Sequence, residues 1–290
     1  MGRRRMGHTL KSHNNTLHQE GFTLVELAIV LVIVGLIIGG ILVGQDLIKA
    51  AEIRSTTASF EKFNVAAITF RNKYSGLPGD LHAPRAAQYG LAARSGAAAH
   101  GDHNGMMEGC TTNSVYLGCE TGLFWVDLAS AYLIGERSFT SATDSLVLTA
   151  TTIAAMQDYL PTARLRNNAF ISVYTEGGRN YYLLGSFSDI TNGVQTFSAA
   201  SAQAVSAAEA EQLDEKIDDG RPLSGSVRAV ADWNAGGVSG ADFDEGAAPG
   251  TGVCVDEGAA ASVDGDEIYN TSDQGLAVEL NCALSIRASF

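Results

Sequence analysis

Basic side chains are scarce in this chain: 19 Lys and Arg stand against 32 Asp and Glu among 290 residues, a formal net charge of −13. From Ala229 to Ile286 there are eleven acidic residues and not one Lys or Arg. A protein that binds nucleic acid needs Lys/Arg stripes to displace counterions from phosphates, so nucleic acid is excluded as a partner. A cation suits the acidic tract better, and a solvated, soluble surface is its plainer reading. Cysteine is rare as well, with four residues and no C-x-x-C spacing, which argues against a redox motif or a zinc ribbon. The four fall as two sequence-local pairs, Cys110 with Cys119 and Cys254 with Cys282. In an oxidising compartment two local disulfides are the parsimonious reading, although four cysteines allow three connectivities. G-x-x-x-x-G-K-[ST], G-x-S-x-G and H-E-x-x-H are all absent, so no catalytic constellation is expected and the chain does not read as an enzyme.

What the chain does have is an uninterrupted run of 18 apolar residues from Leu27 to Gly44, preceded by Phe22-Thr23-Leu24-Val25-Glu26. Such a run is long enough to cross the hydrocarbon core as a helix. Arg3, Arg4, Arg5 and Lys11 lie ahead of it and hold that end in the cytoplasm, so the rest of the chain faces outward. A secretory signal would have a shorter apolar region and a small-residue cut site after it; here a basic leader ends in Gly-Phe before the apolar run begins. Any cleavage at that point leaves the helix on the mature protein. Loss of residues 1–21 removes four bases and only Glu20, turning 19 basic and 32 acidic residues into 15 and 31.

Glu26 is a carboxylate in a segment otherwise built for lipid. A central acidic residue costs roughly 3 kcal/mol on insertion scales, and each neighbouring aliphatic returns about 0.3 to 0.6 kcal/mol, so the helix inserts despite it. Either Glu26 reaches the headgroups, or it pairs with a cation from a neighbouring subunit, for which the amine created at Phe22 by cleavage is the obvious candidate. Gly35 with Gly39, and Gly40 with Gly44, form small-xxx-small pairs. They permit close helix packing, or they let the helix stretch locally on leaving lipid.

Gly21-Phe22-Thr23-Leu24-Val25-Glu26-Leu27 followed by the aliphatic run resembles the processing signature of type IV prepilins and type II secretion pseudopilins. The resemblance implies a prepilin peptidase that cuts after Gly21 and methylates the new N terminus at Phe22, with Glu26 required for assembly. It further implies other pilin or pseudopilin subunits, an inner-membrane assembly platform and the lipid bilayer as partners. The large acidic domain would suit a minor or tip-proximal subunit, while the presence of Glu26 favours one added beneath others. The alternative is a membrane-anchored exported enzyme or ligand-binding protein that only borrows the signal.

The expected organisation is a leader at 1–21, a transmembrane helix at 22–44, an amphipathic extension of the same helix at 45–74 and an exported globular domain at 75–290. Phe60, Phe63, Ala67, Phe70 and Tyr74 recur at steps of three and four, the mark of a helix face. A continuous helix from Phe22 to Tyr74 would extend about 80 Å at ~1.5 Å per residue, well beyond ~30 Å of hydrocarbon. Ser75-Gly76-Leu77-Pro78-Gly79-Asp80 ends it. Helices are expected over 122–134 and 200–217, and a hairpin at Phe170–Tyr174 and Tyr181–Leu184. Further strands are expected at 227–231, 253–255 and 276–286, with 235–261 a loop held by Cys254 and Cys282. The fold class is α+β, an antiparallel sheet lying on the long helix in the pilin manner.

Metal ligation has one candidate region. Asp102, Asn104 and Glu108 place alternating oxygen side chains around a glycine turn, as calcium loops do, and pseudopilins often carry a structural calcium in the exported domain. Ordinary Asx-turn chemistry accounts for the same residues without an ion. Asp264 to Glu267 form a second, shorter acidic loop. His100 and His103 with Asp102 have no further ligand and little preorganisation for zinc.

Overall fold

The structure is a computed structural model, and it describes residues 23–93, 101–109, 118–135, 138–140, 153–165, 169–186, 189–191, 194–196, 205–230, 254–256, 268–271 and 282–290. The chain divides into two compact units, Met1–Ile48 and Lys49–Phe290. Helix α1, Leu24–Tyr74, is unbroken across 51 residues, since no proline interrupts it. In the first unit its aliphatic side chains stand exposed, from Leu24 at 86% to Ile48 at 50%. Among the described residues this is the one helix long and apolar enough to cross a membrane.

In the second unit the remaining turns of α1 bury one face: Ile53, Phe60, Phe63, Ala67, Phe70 and Tyr74. These positions are three, four or seven apart, so they form a single stripe on a 3.6-residue helix. Phe60 meets the ring of Tyr182 at 5.6 Å, and Phe63 stands edge-on to Trp125 at 4.8 Å. The face therefore packs on both a strand and a second helix. Arg71 and Lys73 in the last turn complement the helix dipole, and Ser75 at φ 57° turns the chain away.

The sheet consists of β1 (Phe170–Glu176), β2 (Arg179–Gly185), β5 (Val227–Val230) and β8 (Ala283–Arg287), antiparallel throughout in the order β1-β2-β8-β5. Gly177 and Gly178, at φ 54° and 73°, make the two-residue turn between β1 and β2 that matches the twist of an antiparallel pair. β8 comes last in the chain and lies between β2 and β5, so the sheet is completed only when residues close to the C terminus insert. The smaller elements are α2 (Ala83–Gln88), α3 (Cys119–Ser130), a 3-10 helix (Ile153–Asp158), the pair β3 (Asp189–Thr191) and β4 (Val194–Thr196), α4 (Ala207–Ile217), and the pair β6 (Val255–Asp256) and β7 (Ile268–Tyr269). The arrangement is α+β, as expected.

Several boundaries differ from the sequence reading. α3 starts at Cys119, not 122, and stops at Ser130, short of the expected 134; Tyr132, beyond its end, is 90% exposed at φ 57°. α4 begins at Ala207, not 200, because Ser206 caps it: its Oγ accepts from the Glu209 N–H at 3.3 Å, and Glu209 returns a carboxylate to the Ser206 N–H at 3.0 Å. Its buried face is Ala207, Ala210, Leu213 and Asp214, with Ala208 and Ile217 half-buried. The expected strand at 276–286 is described only as Ala283–Arg287, the residues before Cys282 lying outside the described set. Most of 235–261 lies outside it too. Cys254 and Cys282 are joined in a disulfide with Cα atoms 5.0 Å apart. Cys119 is also disulfide-bonded, while its expected partner Cys110 is outside the described residues.

Candidate functional site

Two described regions hold residues singled out from sequence; His100 and the acidic stretch Asp264 to Glu267 lie outside the described residues. At the start of α1, Thr23 caps the helix. Its Oγ1 accepts from the Glu26 N–H at 3.2 Å, and Glu26 Oε2 accepts from both the Thr23 N–H and the Thr23 hydroxyl at 2.8 Å. This is the reciprocal capping box of T-x-x-E, and it explains why the helix begins at Leu24. Glu26 thus has partners within its own turn, although the surrounding aliphatics give it none. Gly21 and Phe22 lie outside the described residues. A Cβ added at Gly35, Gly39, Gly40 or Gly44 would meet nothing within 4 Å, so no described residue of the chain uses the room these glycines leave.

The second region is the loop 101–109. Two carboxylates from elsewhere hold it: Asp80, in the turn after α1, and Glu120, in the first turn of α3, both fully buried. Asp80 accepts from the N–H of His103 at 2.6 Å through one oxygen and from that of Gly105 at 2.9 Å through the other. Glu120 Oε1 accepts from the N–H groups of Gly101 at 3.0 Å and Asp102 at 3.2 Å, and Oε2 from that of Glu108 at 3.0 Å. The end of the β1–β2 hairpin grips the loop from another side. Thr175 Oγ1 and Asn180 Oδ1 accept from the Met107 N–H at 2.6 and 3.0 Å, and Asn180 Nδ2 donates to the Gly105 carbonyl at 2.9 Å. Gly101, at φ +78°, lies so close to Leu81 that an added Cβ would be 2.1 Å from its carbonyl oxygen, so no other residue fits there.

Of the expected calcium ligands, Asp102 and Asn104 are exposed and Glu108 is half-buried. Asn104 Nδ2 donates to Asp102 at 3.0 Å and to Glu108 at 3.1 Å, so an amide stands among the three side chains. Asp102 also converges elsewhere, as carboxylate oxygens of Asp80, Asp102 and Glu120 lie within 4.8 Å of one another. Burial pushes Glu120 up to about 8, aided by the charges of Asp80 and Asp102 and opposed by the N–H of Glu108. Asp80 is raised for the same first reason, and the N–H groups of Gly105 and His103 hold the shift back. The donors are hard oxygens, which fit calcium or magnesium and not zinc. Buried beneath the loop and supplied with N–H donors, the two carboxylates can brace a backbone or share a cation.

Sequence reasoning missed Asp80 and Glu120. A signal for Glu120 was present. Glu120, Phe124 and Asp127 are spaced four and three apart on one helix face, and Asp127 Oδ2 accepts from the Gly79 N–H at 2.7 Å, so this face has acids at both ends of a buried aromatic. No such pattern marked Asp80, whose role depends on the fold.

Residues 17–42 match the family described as the prokaryotic N-terminal methylation motif. The chain carries a prepilin-type cleavage and methylation signature. The match spans the Gly21–Phe22 junction, the Thr23–Glu26 box and nearly all of the apolar run, which fits a prepilin-type protein anchored through one membrane-crossing helix. No curated protein and no solved structure matches the chain. The prepilin-type match is confined to the N-terminal part of the chain and does not reach the unit from Lys49 onward.

Proposed function

We propose that the chain is a structural subunit of a type IV pilus-like filament or secretion pseudopilus, and not an enzyme. Prepilin peptidase cuts it between Gly21 and Phe22 and methylates Phe22. The helix that follows anchors it as a single-pass protein of the inner membrane, N terminus cytoplasmic and the unit from Lys49 outward periplasmic or extracellular. Other pilin or pseudopilin subunits then take it up at an inner-membrane assembly platform, with Glu26 as the assembly carboxylate. The observation that carries this reading is the coincidence, in one stretch, of the methylation motif at 17–42 with an exposed apolar helix that has a carboxylate in its first turn. A carboxylate there is costly in lipid, and a cationic N terminus from a neighbour offsets that cost.

A structural calcium in the 101–109 loop belongs to the same reading. Asp80, Asp102 and Glu120 are the oxygens best placed for it, with Asn104 and Glu108 at the rim.

Intact mass of the membrane-extracted protein, from cells with and without prepilin peptidase, tests the assignment. The expected result is a species beginning at Phe22 with one added methyl group, present only with the peptidase. Full-length protein in both strains would overturn it.

A further inference from the structure

Asp214 lies in the last turn of α4 with its side chain fully buried. Its Oδ2 accepts a hydrogen bond from the Tyr269 hydroxyl of β7 at 2.9 Å. Its Oδ1 is buried with no hydrogen-bond partner; the Gly220 N–H eases the carboxylate's charge but does not satisfy this atom. A buried carboxylate oxygen without a donor is expensive, and native interiors leave few of them.

One carboxylate oxygen from each of Asp214, Asp218 and Asp219 lies within 4.8 Å of the other two. Asp218 and Asp219 follow directly on the helix, whose C-terminal end carries about half a negative charge of its own. Three carboxylates thus meet at the negative pole of a helix. The cations nearest in sequence are Lys216, exposed in the last turn, and Arg221, whose charge acts on Asp219 from outside. Neither satisfies Asp214 Oδ1.

We propose that the C-terminal turn of α4 binds a divalent cation of the calcium class. Asp214 supplies its free oxygen from the interior, Asp218 and Asp219 supply carboxylates from the solvent side, and water fills the remaining positions. The side chains have coordinating capacity left. Asp219 uses its two oxygens for the Arg221 N–H at 3.0 Å and the Ser224 hydroxyl at 2.8 Å, Asp218 accepts from the Ser226 N–H, and each carboxylate oxygen keeps a second lone pair. These contacts also fix the two acids in place before any ion arrives. The all-oxygen donor set, with no His or Cys, selects a hard cation, and calcium tolerates an irregular shell that magnesium does not.

The site shares no residue with the 101–109 loop, so one stands without the other. The test uses the full-length protein in detergent micelles, stripped with chelator and titrated calorimetrically with calcium chloride and separately with magnesium chloride. Compared are the wild type, Asp218→Asn/Asp219→Asn, Asp219→Asn alone and Asp102→Asn. The expected result is that the double variant binds one calcium equivalent fewer than the wild type, Asp219→Asn weakens that equivalent at least tenfold, and Asp102→Asn leaves it intact. The thermal midpoint should rise with calcium through this equivalent in the wild type. Equal stoichiometry in wild type and double variant would overturn the proposal, as would magnesium binding as tightly as calcium. Because Asp219 is exposed, its single substitution remains informative even if the double variant folds poorly.

Discussion

Glu120 shows how one residue can hold a loop and carry a cost for doing so. Its carboxylate collects three backbone N–H groups from the 101–109 loop, yet burial raises its pKa from 4.5 to about 8. Between those values the folded chain holds a proton that the unfolded chain has released. Stability from this group is therefore fully present below the unfolded value and is lost as pH rises through the window towards 8. Urea midpoints at pH 5 and pH 8 should show the wild type losing more over that interval than Glu120→Gln. The variant should also be weaker at pH 5 by about 1 to 3 kcal/mol, because its amide presents donors to the loop's own donors. Identical slopes for the two proteins would mean that Glu120 stays ionised throughout.

At the scale of elements, α1 has two unlike halves on one backbone. Up to Ile48 its aliphatics are exposed on all sides, whereas beyond Lys49 it has one buried stripe and a polar remainder. Phe63 sits in that stripe against Trp125, and Val65, two residues on, is 64% exposed. Phe63→Ala should destabilise the second unit by about 3 to 5 kcal/mol, since it removes a ring from a packed aromatic cluster that cannot close over the gap. Val65→Ala should change stability by less than about 0.5 kcal/mol. Chemical denaturation followed by Trp fluorescence reads both; equal losses would show that the stripe does not bear on the fold.

For the molecule as a whole, the sheet depends on residues distant in sequence. β8 inserts between β2 and β5, and the disulfide from Cys254 to Cys282 anchors the residue just ahead of it across a separation of 28. Closing a loop of that length is worth roughly 3.5 kcal/mol through the unfolded chain. Cys254→Ser/Cys282→Ser should lower unfolding free energy by about that amount. The double variant is a better probe than reductant, because Cys119 is disulfide-bonded as well. A variant as stable as the wild type in non-reducing denaturation would show that β8 holds its place without the crosslink.

Features written in local order are legible in the amino-acid sequence alone: the apolar run, the aromatic stripe at steps of three and four, the Gly-Gly hairpin and the α+β class. Each depends on periodicity or on turn chemistry within a few residues, and that is all a sequence displays directly. The carboxylates that matter are a product of tertiary structure. Asp102, Asn104 and Glu108 read as a self-contained loop, but Asp80 and Glu120 support it from beneath, 40 residues apart in the chain, and Asp214 finds Tyr269 across 55 residues. Burial, which makes an acid costly and chemically distinctive, comes from which elements pack over it. Local order dictates the anchor and its processing signature, whereas packing alone selects the acids that lie inside.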